Sequence, residues 1–187
     1  MTTITVPEPR PLAAGDLPAS PEQARQLFRS VFAQLAAGVT VLATVTPAGP
    51  SGMTASAVTS LSLDPLLVLA CVGNRSATLV EICQAGRFSI NMLDATGVEL
   101  ATGFAAQPSA DRFTDVSHQI VHEVPVLDDA LAWTTCTVHA LHPGGDHTIL
   151  VGSVIGLYRG HGRPLLWHDG RFQSISPGRQ DCEDPDM

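Results

Sequence analysis

An aspartate and a histidine stand side by side where a glycine turn meets an apolar run, in the segment PGGDHTILVGSV (143–154). The imidazole of His147 can bind or orient a ligand near neutral pH, and Asp146 can hold that imidazole or bond the turn backbone. Gly152, farther along the run, allows another group to approach closely. The alternative is that the pair only finishes a hairpin, and this segment alone leaves both interpretations open.

Two further segments carry side chains suited to a flat, phosphorylated ligand. The predicted strand MTASAVTS (53–60) consists largely of small and hydroxyl residues that leave room above the backbone, and the polar loop SLSLDP overlaps its end. Farther on, Arg75, Ser76 and Thr78 surround a predicted helix start, where free N–H groups and a partial positive charge can bind a phosphate. An ordinary capped helix with an exposed arginine is the alternative. Together the segments indicate a nucleotide-like cofactor.

The signatures of several common enzyme classes are missing from the sequence. It contains no GxSxG, HExxH, P-loop or GxGxxG, which are typical of acyl transfer, zinc hydrolysis, NTP hydrolysis and dinucleotide-binding folds. The cysteines and histidines show no spacing that suits a metal, so we expect no metal site. Cys71, Cys83 and Cys136 lie in apolar stretches and are expected to be packed thiols.

Charge and hydropathy argue against two kinds of partner. The net charge is −8 and the ten basic residues, all of them arginines, are scattered, which disfavours binding to nucleic acid. No apolar run approaches the roughly 18 residues needed to cross a bilayer. The N-terminal segment lacks the charged start and apolar run of a signal peptide. We therefore expect a cytoplasmic protein that binds neither nucleic acid nor a membrane.

Local patterns place these segments on secondary structure. Ser20 as a cap and Pro21 in the first turn predict a helix to about Ala36, whose apolar stripe is expected to pack as one face. We expect a meander of three strands to follow, over 39–46, 53–60 and 66–72. The last strand is apolar on both faces and is therefore expected to be central.

The chain then alternates between helices and strands. Asn74 or Ser76 can cap a helix that Gly86 ends. The later elements are expected to be a strand over 87–93, a helix over 95–105, a strand over 118–124, a long hairpin turning at 143–146 and a short strand pair around Asp169-Gly170.

These patterns predict one domain between two loose ends. Residues 21–176 are expected to form a mainly β barrel with flanking helices, since strands dominate and no internal repeat is present. Residues 1–20 are rich in proline and predict a flexible arm, and residues 177–187 predict an acidic tail.

Several segments together resemble the short-chain flavin reductase family, over about residues 25 to 175. The segments are FAQLAAGVTVLAT, GMTASAVTSLSLDPLLVLACV, NRSATLVEICQAGRFSINML, GFA, DRF, GDHTILVGSV and PLLWHDGRF. Members of that family are homodimers with an FMN-binding split β-barrel, Greek-key-like in strand order, and they supply reduced flavin to partner monooxygenases. The resemblance therefore implies a fold, a reaction and a partner.

By this resemblance, the flavin site draws on three stretches of the chain. The isoalloxazine would be lined by Met53, Thr54, Ala55 and Ser56; the ring edge, ribityl chain or phosphate would meet Ser60, Leu61 and Ser62; and the phosphate site would comprise Asn74, Arg75, Ser76 and Thr78.

The resemblance also implies roles for aromatic and basic residues. Phe104 and Phe113 match aromatic positions near the flavin, with helix packing or loop anchoring as alternative roles. His147, beside Asp146, falls on the GDH motif, whose histidine lies near the flavin and helps to bind nicotinamide. The closing segment PLLWHDGRF contributes two further candidates, His168 and Arg171. They either reach the flavin or nicotinamide across the dimer or belong to a surface hairpin.

The implied reaction is NAD(P)H-dependent reduction of FMN or FAD, by hydride transfer from nicotinamide C4 to flavin N5. It requires the two rings to be held within roughly 3 to 3.5 Å, and it needs no nucleophile or metal from the protein. The implied partners are a second copy of the chain and a flavin-dependent monooxygenase that receives diffusing reduced flavin. Two alternatives stay open: a repurposed flavoprotein with permanently bound flavin, and a non-enzymatic flavin carrier or sensor.

Overall fold

The computed structural model describes residues 18–108 and 111–176. Residues up to Leu35 and residues from Ala36 onward form two compact units, and each is described by itself. The predicted acidic tail, and all of the predicted arm except residues 18–20, lie outside the described residues. None of the described helices has the length and apolar content needed to cross a membrane.

The first helix, α1, spans Pro21–Phe32 and ends before the predicted Ala36. Ser20 has the extended backbone of an N-cap, but its side chain makes no capping hydrogen bond. The prediction of a packed apolar face is wrong within the single chain. The large apolar side chains of the stripe are between 47% and 67% exposed, namely Leu27, Phe28, Val31, Phe32 and Leu35.

The second unit is mainly β with two further α-helices among its described residues, which agrees with the predicted fold class. Its strands are β1 Ala37–Gly38, β2 Thr40–Thr46, β3 Gly49–Ala55, β4 Val58–Leu63, β5 Leu66–Gly73, β6 Arg87–Leu93, β7 His118–Val121, β8 Val124–Leu127, β9 Ala130–Gly144, β10 His147–Arg159, β11 Leu165–His168 and β12 Arg171–Ser174. Its helices are α2 Ala77–Ala85 and α3 Val98–Ala106.

Seven strands form one antiparallel sheet in the order β3-β2-β6-β9-β10-β5-β4. Only Ser56 and Ala57 connect β3 to β4, although these strands lie at opposite ends of that order. Three Cα steps of 3.8 Å keep Ala55 and Val58 within about 11 Å of each other. The sheet must therefore curl until its two edges converge, without hydrogen bonds that close it into a full barrel.

This topology corrects three predictions about the first strands. The predicted strand 53–60 is broken at Ser56, so that its two halves belong to opposite sheet edges. The predicted meander is therefore wrong, because only β2 with β3 and β4 with β5 are neighbours. Strand β5 is next to the edge instead of central. The physical reason is that an apolar run indicates burial but does not choose a strand's partners.

Helix α2 follows the predicted signals at both ends. The Ser76 side chain accepts a hydrogen bond from the Leu79 N–H, and Gly86 ends the helix in the left-handed conformation with φ of 68°. Leu79 and Ile82 bury the inner face of α2 in the core beside the sheet. Helix α3 begins at Val98, later than predicted, and buries Ala101 and Phe104.

The long hairpin of β9 and β10 is confirmed, and His147 begins β10 as expected. Gly145 has φ of 74° in the turn. A Cβ added at Gly152 would lie 2.5 Å from Phe88 Cζ, so the predicted close approach is real and the approaching group is a core ring. The role of Gly152 is therefore packing.

Where one strand was predicted over 118–124, the structure has a tight hairpin formed by β7 and β8. Its turn residues, His122 and Glu123, both have positive φ, at 49° and 67°. Non-glycine residues adopt positive φ uncommonly, and tight hairpin turns are usually recognised by a glycine. Because this turn contains none, it could not be recognised from the sequence.

The last strand pair forms around Asp169 and Gly170 as predicted, and it joins β1 in a small separate sheet. Asp94, at the end of β6, accepts hydrogen bonds from the Thr96 N–H and hydroxyl and from the Arg163 N–H. These bonds, with that from Thr96 first, hold the pKa of Asp94 below its ordinary value. The carboxylate thereby ties the chain before β11 to the end of β6.

The cysteine prediction is only partly correct. Cys136 is fully buried and Cys71 is half-buried, but Cys83 is exposed on α2. A short helix shows one face to solvent, so an apolar neighbourhood in the sequence does not fix which face a cysteine occupies. Within 18–108 and 111–176, no three His, Cys, Asp or Glu side chains are placed to hold a metal ion.

Candidate functional site

Five of the expected site residues are linked by contacts where β3, α2 and the β9–β10 turn meet. The Ser76 hydroxyl lies 3.1 Å from Met53 Sδ, which joins the start of α2 to β3. The Asn74 amide donates to the Gly145 carbonyl, and its backbone N–H donates to the Asp146 carbonyl. We call the group Met53, Asn74, Ser76, Asp146 and His147 the helix-start site.

One residue that supports this site, Thr148, was not indicated by the sequence. The Thr148 hydroxyl donates to Asn74 Oδ1 at 2.8 Å, so both ends of the Asn74 amide are bonded to the hairpin. A side-chain amide carries both donor and acceptor groups. Asn74 at the predicted helix start was therefore the available sign that a residue such as Thr148 lies beside it. The register of β5 on β10, which pairs Gly73 with His147, brings these groups together.

The Asp146–His147 pair has a defined geometry. His147 Nδ1 lies 2.8 Å from Asp146 Oδ1, and the two side chains are 50% and 95% exposed. The hydrogen bond and charge of His147 hold the pKa of Asp146 below its ordinary value. Since an ionised carboxylate only accepts hydrogen bonds, a neutral His147 carries its proton on Nδ1 and presents Nε2 as an acceptor.

The start of α2 has the features of an anion site. The first N–H groups of a helix have no partner within it, and Arg75 stands exposed beside them. Thr78 is 1% exposed, and its hydroxyl has no hydrogen-bond partner among the described residues. The protein itself encloses this hydroxyl, so it is an unpaired polar group of the fold that a ligand does not reach.

The other three residues of the expected isoalloxazine lining border a cavity. Thr54, Ala55 and Ser56 border a cavity of about 220 Å³, which Trp167 and Phe172 close on another side. Val39, Ala101 and Ala105 complete its wall. We call this cavity the aromatic pocket. Met53 and Thr54 are neighbours on β3, so their side chains point to opposite faces of the sheet. Met53 contacts Ser76 at the start of α2, and Thr54 bonds the Ala101 carbonyl of α3.

The two phenylalanines are placed in packing roles. Phe104 is 1% exposed, and its ring meets Phe113 edge to face at 4.9 Å. Gly52 lies beneath both rings, since an added Cβ would be 3.0 Å from Phe104 and 3.2 Å from Phe113. Within the chain, Phe104 packs α3 against β3, and Phe113 packs on Phe104; their expected place near the flavin stays a prediction.

Ser60, Leu61 and Ser62 lie on the edge strand β4. Leu61 is the extra residue of a bulge, and Ser62 Oγ accepts a hydrogen bond from the Asp64 N–H. Ser60 pairs with Val68, five residues along β5 from Gly73, which is about 16 Å at the usual strand rise. They are therefore well separated from His147 along the sheet.

His168 and Arg171 face each other across the last hairpin, and so do Trp167 and Phe172. Neighbouring residues of a strand point to opposite faces, so the face that lines the aromatic pocket carries the aromatic pair. Within one chain, therefore, Trp167 and Phe172 line this pocket, and the expected contribution of His168 and Arg171 across a dimer stays a prediction. The alternation of apolar and polar residues in LLWHDGRF was the sign that Trp167 and Phe172 share an apolar face.

A larger cavity, of about 810 Å³, lies beside α3 and the loops around it. Of the expected site residues it touches only Phe104. Its border carries five carboxylates, from Asp94, Glu99, Asp115, Asp128 and Asp129. Such a field repels the phosphates of a nucleotide, so the chemistry favours the helix-start site over the larger cavity.

Comparisons with known proteins identify the family of the chain. Residues 32–176 match the family model described as "Flavin reductase like domain". The chain is 40% identical, over 81% of its length and 82% of the relative's, to the "4-nitrophenol 4-monooxygenase/4-nitrocatechol 2-monooxygenase, reductase component" of Rhodococcus opacus. It is 37% identical, over 82% and 87% of the lengths, to the "NADH-dependent FAD reductase" of Streptomyces globisporus.

A solved structure gives the same result for the fold. The Streptomyces globisporus C-1027 NADH:FAD oxidoreductase SgcE6, in complex with NAD and FAD fragments, superposes with a TM-score of 0.80. It is 34% identical, and the match covers 86% of this chain and 97% of that one. The expected split-barrel fold is confirmed.

Proposed function

The chain belongs to the flavin reductase-like family, and we propose that its helix-start site and aromatic pocket hold the flavin and the nicotinamide. The protein is an NAD(P)H-dependent flavin reductase that reduces FMN or FAD and supplies the product to a flavin-dependent monooxygenase. We place it in the cytoplasm, where reduced nicotinamide dinucleotides are formed.

One observation supports this assignment most directly. The Asn74 side chain, at the start of α2 where a phosphate would bind, is hydrogen-bonded to the hairpin that carries His147. The residues present also fit a flavin. The α2 start and the exposed Arg75 suit a phosphate, and the aromatic pocket suits a flat ring. A helix cap alone would not require the amide of Asn74 to be bonded at both ends.

The bound nicotinamide supplies a hydride and the bound flavin accepts it, so the redox chemistry belongs to the cofactors. The chain's residues bind and align. His147 Nε2 is an acceptor suited to an N–H group of the nicotinamide carboxamide, and Asp146 fixes the ring through Nδ1. His147 is thus a binding and positioning residue.

The test is oxidation of NADH and NADPH with added FMN, FAD or riboflavin, followed by the loss of nicotinamide absorbance. We expect flavin-dependent turnover. In His147→Ala the KM for the nicotinamide should rise about fivefold to tenfold, as expected for one lost hydrogen bond. His142→Ala is the matched control, because His142 is exposed on the same hairpin. Equal behaviour of the two variants would contradict the role of His147.

The same assay separates the alternatives. A flavin carrier or sensor binds flavin without oxidising either nicotinamide. A flavoprotein with permanently bound flavin turns over without added flavin and is yellow when purified. Turnover that requires added flavin contradicts both alternatives.

We propose a homodimer from the exposed stripe of α1. Its apolar side chains form a contiguous surface, with the Phe28 and Phe32 rings 4.5 Å apart. A stripe of this kind rarely stays in contact with water on a monomer. A second copy is the partner that the family resemblance implies.

The oligomeric state tests this proposal. Phe28→Glu should raise the dimer dissociation constant at least about tenfold, because a central aromatic residue is replaced by a charge. Gln26→Glu, on the polar side of α1, is the matched control and should leave the dimer intact. A wild-type monomer in analytical ultracentrifugation, or a Phe28→Glu dimer of unchanged affinity, would contradict the proposal.

A further inference from the structure

Gly73 is the last residue of β5 and lies directly opposite His147 on β10. Residues directly opposite each other in an antiparallel pair have their side chains on the same face of the sheet. A Cβ added at Gly73 would therefore stand beside the imidazole, 3.9 Å from His147 Nε2. Apart from the chain neighbours of Gly73, no other atom of the described residues would lie within 4 Å of it. The glycine thus leaves open space next to Nε2.

Neither of two common reasons for a glycine applies at this position. Gly145 has φ of 74°, a conformation that glycine adopts without steric cost. Gly152 has no room for a side chain, since an added Cβ would lie 2.5 Å from Phe88 Cζ. The backbone of Gly73 is outside the left-handed region, and a methyl group would fit there. A glycine that weakens a strand without such a reason often marks a place where a ligand approaches closely.

The open space is bordered by a hydrogen-bond acceptor whose position is fixed. Asp146 occupies Nδ1 of His147 at 2.8 Å, so the neutral imidazole presents Nε2 as an acceptor. Asn74, which follows Gly73, donates from its side chain to the Gly145 carbonyl and from its backbone N–H to the Asp146 carbonyl. These bonds hold the end of β5 against the turn. The distance between position 73 and the imidazole is therefore set by the fold.

We propose that Gly73 is a specificity-determining residue, an assignment that rests on the proposed function. Its missing side chain leaves room for the nicotinamide carboxamide to reach His147 Nε2. An N–H group that donates to Nε2 places its nitrogen about 3 Å away, closer than a methyl group on residue 73 would stand. A side chain at this position therefore competes with the carboxamide. Flavin binding in the absence of nicotinamide does not use this space.

The test measures binding of NAD⁺ to the full chain with saturating FMN, by isothermal titration calorimetry, together with the KM for NADH. In Gly73→Ala both the Kd and the KM should rise about fivefold, as expected when one methyl group overfills a site. Gly73→Ser should raise them further, because its hydroxyl can donate to Nε2 in place of the ligand. The Kd of FMN alone should stay within about twofold.

Stability separates this role from a purely structural one. Replacing glycine by alanine, where the backbone and the space allow it, stabilises a protein because the unfolded chain loses freedom. The thermal midpoint of Gly73→Ala should therefore rise by about 1 to 3 °C while nicotinamide affinity falls. Gly38→Ala is the matched control. Gly38, on β1, is also outside the left-handed region, and an added Cβ would meet no atom of the described chain within 4 Å.

A double-mutant cycle tests whether Gly73 acts through the imidazole. In a His147→Ala background the acceptor is gone, and the carboxamide is no longer held beside residue 73. Gly73→Ala should then change the Kd of NAD⁺ by less than about twofold. A full fivefold effect in that background would show that the space does not serve His147.

The outcomes distinguish this inference from the proposed function. If the wild type reduces flavin but Gly73→Ala matches Gly38→Ala in nicotinamide affinity, the assignment of Gly73 is overturned and the function stands. A lower thermal midpoint in Gly73→Ala, or weaker FMN binding with unchanged nicotinamide affinity, would likewise overturn it. If the wild type neither binds nor reduces any flavin, the proposed function fails and this inference fails with it.

Discussion

The helix-start site and a polar cluster around Asn91 are built from the same kinds of side chain, yet they differ in burial and in the pairing of their polar groups. Asn91 is fully buried; its amide donates to the Val41 carbonyl and to Ser89 Oγ, and its Oδ1 accepts from the Leu127 N–H. Ser89 in turn bonds the Pro125 carbonyl. The cluster joins β6 to β2 and to β8.

The helix-start site leaves polar groups available. His147 and Asp146 are exposed, and the first N–H groups of α2 have no partner within the helix. The comparison teaches that a closed, buried network contributes stability, whereas a partly open network at the surface can bind a ligand. Substitutions in the cluster around Asn91 should alter the free energy of unfolding, and substitutions in the helix-start site should alter ligand affinity.

The largest effect is expected from Asn91→Ala. It leaves the Leu127 N–H buried without a partner and removes the side-chain bonds to the Val41 carbonyl and Ser89 Oγ, which should lower the free energy of unfolding by about 3 kcal/mol. The KM values of the folded enzyme should stay within about twofold, since no ligand group is touched. Urea unfolding and steady-state kinetics measure both. Ser153→Ala, which removes the exposed bond to His139, is the control.

Cys136 should give the next largest effect, through pH. Burial raises the pKa of its thiol from 9.0 to about 11. Above pH 9 the unfolded chain ionises there while the folded chain stays neutral, so stability present below pH 9 is lost as pH rises toward 11. The loss should be about 2 kcal/mol.

The alkaline window is favourable for this measurement, because the chain has no lysine and one tyrosine. Cys136→Ala should flatten the dependence of unfolding free energy on pH, whereas Cys83→Ala, at an exposed position, should preserve it. Equal slopes in the two variants would show that Cys136 does not cause the loss.

The smallest effect is expected from Thr78→Val, and it has the opposite sign for stability. Removing an unpaired buried hydroxyl should raise the free energy of unfolding by about 1 kcal/mol. Flavin affinity should stay within about twofold, because the protein encloses this hydroxyl and no ligand group touches it. Urea unfolding and flavin titration measure both quantities. A loss of stability in Thr78→Val would show that the hydroxyl has a partner in the folded chain.

Local features were predictable wherever a few neighbouring residues fix the backbone. Ser76 and Gly86 gave the limits of α2, and the glycines before Asp146 gave the turn that places His147 at the start of β10. The family and its reaction were also accessible, because several short segments matched together. Caps and tight turns depend on side chains within a few residues, so a single sequence carries them.

The three-dimensional structure alone decided what depends on distant pairing. It separated β3 from β4, exposed the stripe of α1, turned Trp167 and Phe172 toward the aromatic pocket and placed Phe104 in the core. Each outcome depends on which strand or helix lies opposite, since a shift of one residue reverses the face of every side chain. The amino-acid sequence determined the local elements and the chemistry available, and tertiary packing determined which of those groups meet.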